Sequence, residues 1–360
     1  MLTVLWVAVL LAGCLFTVNE PQVTPDGTVA VFLDGDGAYT LFPETGTLHL
    51  LCDGSWIDVP AASIEGSGGL LDLSPDGTEA LFVEVQMADV FSPFESTLYR
   101  VALQPTAVPE SIVQTQSSIA KAVWTRDDRI LLLQFGEEDL GTLHALDPAT
   151  GGIKLLAEDL LSFAAMPNTE ELILLAADPR AGLPFGMVVR WNPGTDARET
   201  LATFVLSEET FESFTALPHR FFWDVSFDGG WLALALFDGM LFRPAVEEGM
   251  PDLYLIDVNL GEAERIAANA LMPSFSPDGS ALIYAVEDAD GSGFLMWRSL
   301  TSERTVRVPG SEGMSTAFWL SPTKLGMTFE SGEDRYRLVE LDLETEAIRV
   351  LVNGAQDSAE

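Results

Sequence analysis

The side chains that could do chemistry in this chain are few, and two aspartates at equivalent places are the clearest candidates. Asp72 and Asp224 each stand two residues before a similar turn, Ser74-Pro75-Asp76-Gly77 in one case and Ser226-Phe227-Asp228-Gly229 in the other. Two carboxylates that face each other across a channel can bind a cation, or act as acid and base on a sugar. The same side chains can instead accept hydrogen bonds from backbone amides of an adjacent repeat, and the sequence leaves both interpretations open.

Motifs for other chemistries are missing from the sequence. His49, His144 and His219 lie far apart, and nothing has the spacing of a metal-ligand motif such as H-x-x-x-H or C-x-x-C. Two acidic turns, which begin at Asp34 and Asp288, are similar to part of a calcium loop but lack the bidentate Glu at its twelfth position. We therefore expect no catalytic residue, metal or cofactor, with calcium as the one ion left open.

Repeated turns indicate which elements hold the two aspartates. Seven turns of the Ser-Pro-Asp-Gly type, some of them degenerate, recur about every fifty residues. Their second residues are numbers 25, 75, 126, 167, 227, 277 and 322. Each repeat, here called a unit, has an apolar strand before the turn, a second apolar strand after it, an alternating third strand and a fourth strand that closes it. Gly, Asn and Asp in the turns accept the positive φ that tight hairpins need.

Four short antiparallel strands per unit predict an all-β fold, a single β-propeller over residues 20–360. A single unit would leave both of its faces exposed, whereas radial stacking against two neighbours buries them. Seven units predict seven four-stranded blades, with six and eight as the alternatives.

The Ser-Pro-Asp-Gly turn followed by an apolar strand resembles the WD-like propeller repeat of TolB-type periplasmic proteins and of prolyl oligopeptidase and dipeptidyl peptidase relatives. The resemblance covers roughly residues 20 to 354 and is specific to the fold. TolB also has an N-terminal α/β domain, and the peptidases have a C-terminal hydrolase domain with a G-x-S-x-G nucleophile elbow. No such motif occurs in this sequence. The resemblance therefore implies the scaffold, and neither family's function follows from it.

The N-terminal segment, residues 1–19, is typical of a signal peptide. Residues 2–18 carry no charged side chain, and this length is at the short limit of a bilayer span. Within it, Leu11-Ala12-Gly13-Cys14 resembles a bacterial lipobox, which would make Cys14 the lipidated first residue of the mature protein. We expect a cell-envelope lipoprotein on the periplasmic or extracellular face, held to the membrane only by this lipid. The alternatives are an uncleaved signal anchor and a secreted protein in which Cys14 is incidental.

The charge of the chain excludes several classes of ligand. Fifty-five acidic residues against 18 basic ones give a net charge of −37, while 48% of the residues are hydrophobic. A nucleic acid needs a Lys and Arg footprint that this chain does not offer, and anionic lipid is disfavoured for the same reason. The apolar content is enough for a large core. We expect a monomer that binds a neutral or cationic protein or peptide, with binding weakened by salt.

The loops between the second and third strands are long in units 2, 4 and 5. In a propeller these loops share one face, the long-loop face, with the connections between units. Aromatic and Arg side chains on such loops are typical of protein-binding hot spots. The candidate partner-binding residues are Phe91, Phe94, Phe185, Phe211, Phe214, His219, Phe242 and Arg243. Alternatively, these side chains fold back and pack beneath their own loops.

Non-catalytic binding of a protein or peptide through the long-loop face is therefore the function that the sequence favours. The alternative is an extracellular carbohydrate-active or lactone-type enzyme that uses Asp72 and Asp224 as channel carboxylates. A structural array in a larger complex differs from the first function only in its partner. The enzyme is favoured if the two carboxylates converge with other polar groups in a pocket, and disfavoured if backbone amides satisfy them.

Overall fold

A computed structural model shows the fold. It describes residues 22–23, 29–31, 47–52, 55–60, 67–86, 95–102, 108–136, 140–166, 169–178, 185–206, 222–237, 239–240, 243–244, 251–287, 293–330 and 336–353. The predicted signal segment with Cys14, and the acidic turns 34–37 and 288–292, lie outside the described residues. The described part of the chain contains strands, turns and bends and no helix, and so no helix there is long and apolar enough to span a membrane.

The described residues form twenty-nine strands, which are grouped here by the seven units of the predicted repeat. Unit 1 has β1 (Gln22–Val23), β2 (Val29–Val31), β3 (Thr47–Cys52) and β4 (Ser55–Pro60). Unit 2 has β5 (Ser67–Leu73), β6 (Glu79–Gln86), β7 (Glu95–Ala102) and β8 (Glu110–Thr115). Unit 3 has β9 (Ser118–Trp124), β10 (Ile130–Phe135), β11 (Gly141–Asp147) and the first part of β12 (Gly152–Ala165). Unit 4 has the rest of β12 with β13 (Leu172–Asp178), β14 (Phe185–Asn192) and β15 (Ala197–Val205).

The remaining strands complete units 5 to 7. Unit 5 has β16 (Trp223–Val225), β17 (Trp231–Leu236), β20 (Asp252–Asp257) and β21 (Glu262–Ala267), with β18 (Gly239–Met240) and β19 (Arg243–Pro244) inserted. Unit 6 has β22 (Ala270–Phe275), β23 (Ala281–Glu287), β24 (Gly293–Ser299) and β25 (Thr305–Arg307). Unit 7 has β26 (Met314–Ser321), β27 (Lys324–Glu330), β28 (Tyr336–Asp342) and β29 (Ile348–Asn353). Neighbouring strands are antiparallel and follow chain order within a unit. The predicted all-β propeller is confirmed, and the number of seven blades stays a prediction.

Two departures from separate four-stranded sheets were not foreseen in the sequence. Strand β12 pairs with β11 as far as Leu160 and with β13 from Leu160 onward, so one continuous strand serves units 3 and 4. The insertion of unit 5 adds β18 to the outer edge of unit 4, where Met240 pairs with Phe204 of β15. These links join units 3 and 4, with the inserted hairpin, into one nine-stranded sheet.

The Ser-Pro-Asp-Gly turns form because the serine and aspartate side chains in them bond to local backbone groups. The Ser74 hydroxyl accepts hydrogen bonds from the amides of Thr78 and Glu79, at 3.1 and 2.9 Å, and donates to Asp76 Oδ1 at 2.7 Å. Gly77 adopts a φ of 68°, which a residue without Cβ takes at little cost. The serine-to-aspartate bond recurs at 2.6 Å for Ser226 with Asp228 and for Ser276 with Asp278. The degenerate turn of unit 3 places Asp128 at φ 60° instead of a glycine.

The core lies between the units, around their second strands. Leu232, Ala233, Leu234 and Ala235 of β17 are all fully buried, on both faces of the strand. A strand with one buried face alternates between apolar and polar residues, whereas a strand covered on both faces is continuously apolar. The outermost strands are more exposed, as in β21, where Glu262 and Glu264 are exposed. Burial therefore decreases from the centre toward the rim, as stacked units require.

Candidate functional site

Asp72 and Asp224 make the same contact in two different units. Asp72 Oδ2 accepts a hydrogen bond from the backbone N–H of Trp124 in unit 3, at 2.7 Å. Asp224 Oδ2 accepts one from the backbone N–H of Phe275 in unit 6, at 2.8 Å. In both cases the donor is the residue directly before the next unit's turn. Each carboxylate therefore joins the innermost strand of its own unit to the innermost strand of the next.

The surroundings of the two carboxylates differ in detail. Asp224 Oδ1 also accepts a hydrogen bond from the amide of Val225, at 2.8 Å. Burial raises the pKa of Asp72 from 3.8 to about 7, although the amides of Trp124 and Leu73 and the charge of Lys121 all lower it. Desolvation disfavours a charged carboxylate, and here it outweighs the amides that favour the charge. Asp72 therefore titrates close to neutral pH within the native structure.

The innermost strands are joined by a polar contact at each of the other described junctions between units 2 and 7. Lys121 Nζ of unit 3 donates to the carbonyl oxygen of Phe163 in unit 4, at 2.9 Å. The two remaining junctions each use an indole. The indole contacts are Trp223 Nε1 to Ser162 Oγ at 3.1 Å, between units 5 and 4, and Trp319 Nε1 to the Ser274 carbonyl oxygen at 3.0 Å, between units 7 and 6. Together with Asp72 and Asp224, these five bonds are called the junction contacts.

Lys121 lies where side chains of several units meet. Its Nζ is 5.4 Å from the ring centre of Phe163 and 5.5 Å from that of Trp223, and its charge acts on Asp72. Cations are attracted to aromatic faces within about 6 Å. One ammonium therefore contacts units 4 and 5 directly and interacts electrostatically with unit 2. Sequence reasoning missed this residue, although it is one of only three lysines in the chain and its neighbours on both sides in β9 are alanines.

This geometry favours the structural interpretation of the two aspartates. Both are engaged by backbone amides of the next unit, which is the condition that disfavours the enzyme. No group of three or more His, Cys, Asp or Glu in the described part of the chain is arranged to hold a metal ion. The Asp72 and Asp224 side chains also lie near the turns between first and second strands. Those turns are at the end of each strand opposite to the long loops, so the two candidate sites lie at opposite faces.

Most of the predicted partner-binding residues lie outside the described residues: Phe91, Phe94, Phe211, Phe214, His219 and Phe242. Phe185 is partly buried at the start of β14, opposite Val205 of β15. Arg243 pairs with Met240 in the inserted hairpin. Met240 itself is fully buried within the core of units 4 and 5. That part of the unit 5 insertion therefore folds back onto the protein, as the alternative interpretation of the loops expects.

Comparison with known proteins gives the fold and no closer relationship. No protein-family model matches the chain, and no curated protein matches it. The β-propeller domain of the Trilobed protease from Pyrococcus furiosus, which has an open velcro topology, is 13% identical with a TM-score of 0.62. The match covers 95% of this chain and 100% of that domain.

Two further solved structures are similar to the chain. Puromycin hydrolase is 18% identical with a TM-score of 0.59, over 98% of this chain and 56% of that one. TolB from Acinetobacter baumannii is 13% identical with a TM-score of 0.50, over 95% of this chain and 80% of that one. Identities this low indicate a shared scaffold rather than a shared activity. The structural neighbours are thus TolB-like and prolyl-peptidase-like β-propellers.

Proposed function

We propose that this chain is a non-catalytic, exported β-propeller that binds a neutral or cationic protein or peptide through its long-loop face. The observation that carries the proposal is the hydrogen bonding of Asp72 and Asp224. The only paired carboxylates that the sequence offers for acid–base chemistry accept amide hydrogen bonds that hold the units together. The scaffold supplies a rigid platform, and the long loops of units 2, 4 and 5 supply the contact surface. Seven blades and a lipid on Cys14 belong to the same proposal.

The strands beside the loops of units 2 and 4 end in directly opposed pairs, which allows each loop to be shortened. The last pair between β6 and β7 is Gln86 opposite Glu95, and the last pair between β13 and β14 is Asp178 opposite Phe185. A two-residue Asn-Gly turn closes directly opposed antiparallel strands. Residues 87–94 and 179–184 can thus each be replaced by Asn-Gly without changing the strands. The unit 5 insertion is left in place because Met240 is part of the core.

The experiment compares partner recovery by the soluble domain and by this two-loop variant. Partners captured from an envelope extract are identified by mass spectrometry and then confirmed by titration with the purified partner. The control variant changes the opposite face, with Glu344→Gln and Glu346→Gln in the exposed turn before β29. We expect the loop variant to lose the partner and the control to retain it. Equal recovery by all three proteins would refute the loops of units 2 and 4 as the binding surface.

The enzyme alternative has its own test. Asp72→Asn and Asp224→Asn should leave any hydrolytic or lyase activity toward oligosaccharides and lactones no lower than in the parent protein, because both carboxylates accept backbone hydrogen bonds at junctions between units. A turnover that is measurable in the parent and abolished by either substitution would favour the enzyme.

A further inference from the structure

The described surface contains a cleft between units 5 and 6 that no part of the proposed function uses. Its volume is about 600 Å³, within the range of ligand sites. It is lined by the β20–β21 turn, by the start of β17 and by the end of β24 with the turn that follows. These turns join third to fourth strands, and they lie at the face opposite to the long loops. The cleft is therefore a separate surface, and any function there goes beyond the proposed one.

The walls of the cleft carry unbalanced negative charge. Glu262 and Glu303 are exposed and form no ion pair within the described part of the chain. Glu264 has one cationic neighbour there, Arg298, with 3.6 Å between Nη2 and Oε2. A fourth acidic group, Asp257, is already engaged by the amides of residues 259 and 260, at 2.8 and 3.0 Å. Three carboxylates thus face one guanidinium, and an occupant with positive charge is complementary.

Two further features of the cleft are independent of its charge. The side chain of Leu260 is 69% exposed at the rim, and Trp231 is partly exposed beside it. Arg298 also lines the cleft, and its side chain is 11% exposed. The cleft therefore offers an apolar contact and a partly accessible guanidinium in addition to its carboxylates.

We infer that this cleft binds an extended peptide segment that carries Lys or Arg next to an apolar residue. The cationic side chain meets Glu262 and Glu303, the apolar side chain packs on Leu260 and Trp231, and a peptide carbonyl accepts from Arg298. A peptide supplies all three groups within a few residues. A simple polyamine has no carbonyl or apolar side chain, and an uncharged sugar leaves the carboxylates uncompensated.

The test uses a fluorescein-labelled peptide, Ala-Leu-Lys-Leu-Arg-Ala, and a second peptide in which Glu replaces Lys and Arg. Binding is measured by fluorescence anisotropy at about 50 mM salt and again at higher salt, where exposed charge contacts are screened. The cleft variant is Glu262→Gln with Glu303→Gln. Its matched control, Glu344→Gln with Glu346→Gln, removes the same two charges from the corresponding turn of unit 7, whose Asp342 accepts amide bonds as Asp257 does. All four glutamates are exposed, and thermal unfolding confirms that the variants fold.

We expect the cleft variant to bind the cationic peptide about tenfold more weakly and the control to change less than twofold. Leu260→Ser should also weaken binding several-fold, and the Glu peptide should not bind. Hydrogen exchange should show protection of residues 259–264 and 299–304 when the peptide is present. Equal weakening by both double variants, or protection elsewhere, would overturn the inference in favour of diffuse attraction to an acidic surface. The two-loop variant should bind this peptide normally, so failure of the proposed function leaves the cleft result intact.

Discussion

Replacing Asp72 by Asn should make the stability of the protein less sensitive to pH. Burial raises the pKa of Asp72 from 3.8 to about 7 in the native state. A group whose native pKa is raised stabilises the fold fully at a pH below its unfolded pKa, and this stabilisation is lost as the pH rises through the native pKa. Over the range from pH 5 to pH 8, linkage between these two pKa values lowers the free energy of unfolding by roughly 2.5 kcal/mol.

The Asn side chain keeps the junction contact while removing the charge. Its Oδ1 can still accept the hydrogen bond that Trp124 donates to Asp72. Its amide group brings two donors into the same space, at a cost of about 1–3 kcal/mol if they stay unpaired. This cost is the same at every pH, whereas the ionisation term is present only in the parent. The change in stability between the two pH values therefore isolates the ionisation of Asp72.

The assay is urea unfolding followed by tryptophan fluorescence at pH 5 and pH 8, in the same salt. General repulsion in a chain of net charge −37 also grows with pH, so the matched control is Glu158→Gln, which removes one charge from an exposed position. We expect Asp72→Asn to flatten the pH dependence by roughly 2.5 kcal/mol relative to that control. Identical pH slopes for the two variants would show that Asp72 is not titrating in this range, and the reasoning would fail.

Lys121 provides a second test of the same carboxyl group. Its ammonium lowers the pKa of Asp72, so Lys121→Met should raise that pKa further and steepen the loss of stability above pH 6. Lys154→Met removes the same charge from an exposed position and is the control. A titration of the Asp72 carboxyl by NMR gives the pKa directly, and a lower value in Lys121→Met than in the parent would contradict the electrostatic argument.

Two further substitutions test the packing and the turns. Gly186→Ala should destabilise the fold by at least about 1–3 kcal/mol, because an added Cβ would lie 2.1 Å from the ring of Phe204. The control is Gly136→Ala, whose Cβ meets nothing within 4 Å and which should be nearly neutral in thermal unfolding. Similar unfolding midpoints for the two variants would contradict this. Ser226→Ala should cost about 1–3 kcal/mol, because its hydroxyl accepts an amide bond and donates to Asp228. The Ser226 hydroxyl also lowers the pKa of Asp228, so the parent loses this stabilisation as the pH falls below about 4; an unchanged acid transition in the variant would contradict the role of the hydroxyl.

The repeat was predictable because it depends on contacts between residues that are close in the sequence. Ser74, Asp76 and Gly77 satisfy one another within a single turn, so the turn and the two strands beside it are visible in any one unit. The same is true of the continuous apolar pattern of β17, which reports burial on both faces. The fold class therefore follows from short stretches of sequence.

The junction contacts were not predictable in the same way. Asp72 was recognised as a candidate, but its partner is the amide of Trp124, 52 residues away, and an amide leaves no signature in a sequence. Lys121 of unit 3 contacts the ring of Trp223 in unit 5, although the two residues are far apart in the sequence. The pairing of β18 with β15 likewise depends on how two units lie side by side. Contacts between units depend on the stacking geometry, which a repeat pattern does not encode.

The ion pairs in the structure also show how the few positive charges of this acidic chain are used. Several of the few cations are used within single units, where Arg100 pairs with Glu110 at 2.8 Å and Arg349 with Glu340 at 3.1 Å. Lys121 of unit 3 donates a hydrogen bond to unit 4. Few positive charges are then left to balance the exposed carboxylates, and the net charge that an approaching partner meets is strongly negative. Binding at the long-loop face and binding in the cleft should therefore both weaken as salt is raised. If the affinity for a partner is unchanged between about 50 mM and 500 mM salt, that partner binds through uncharged contacts, and the acidity has no part in recognition.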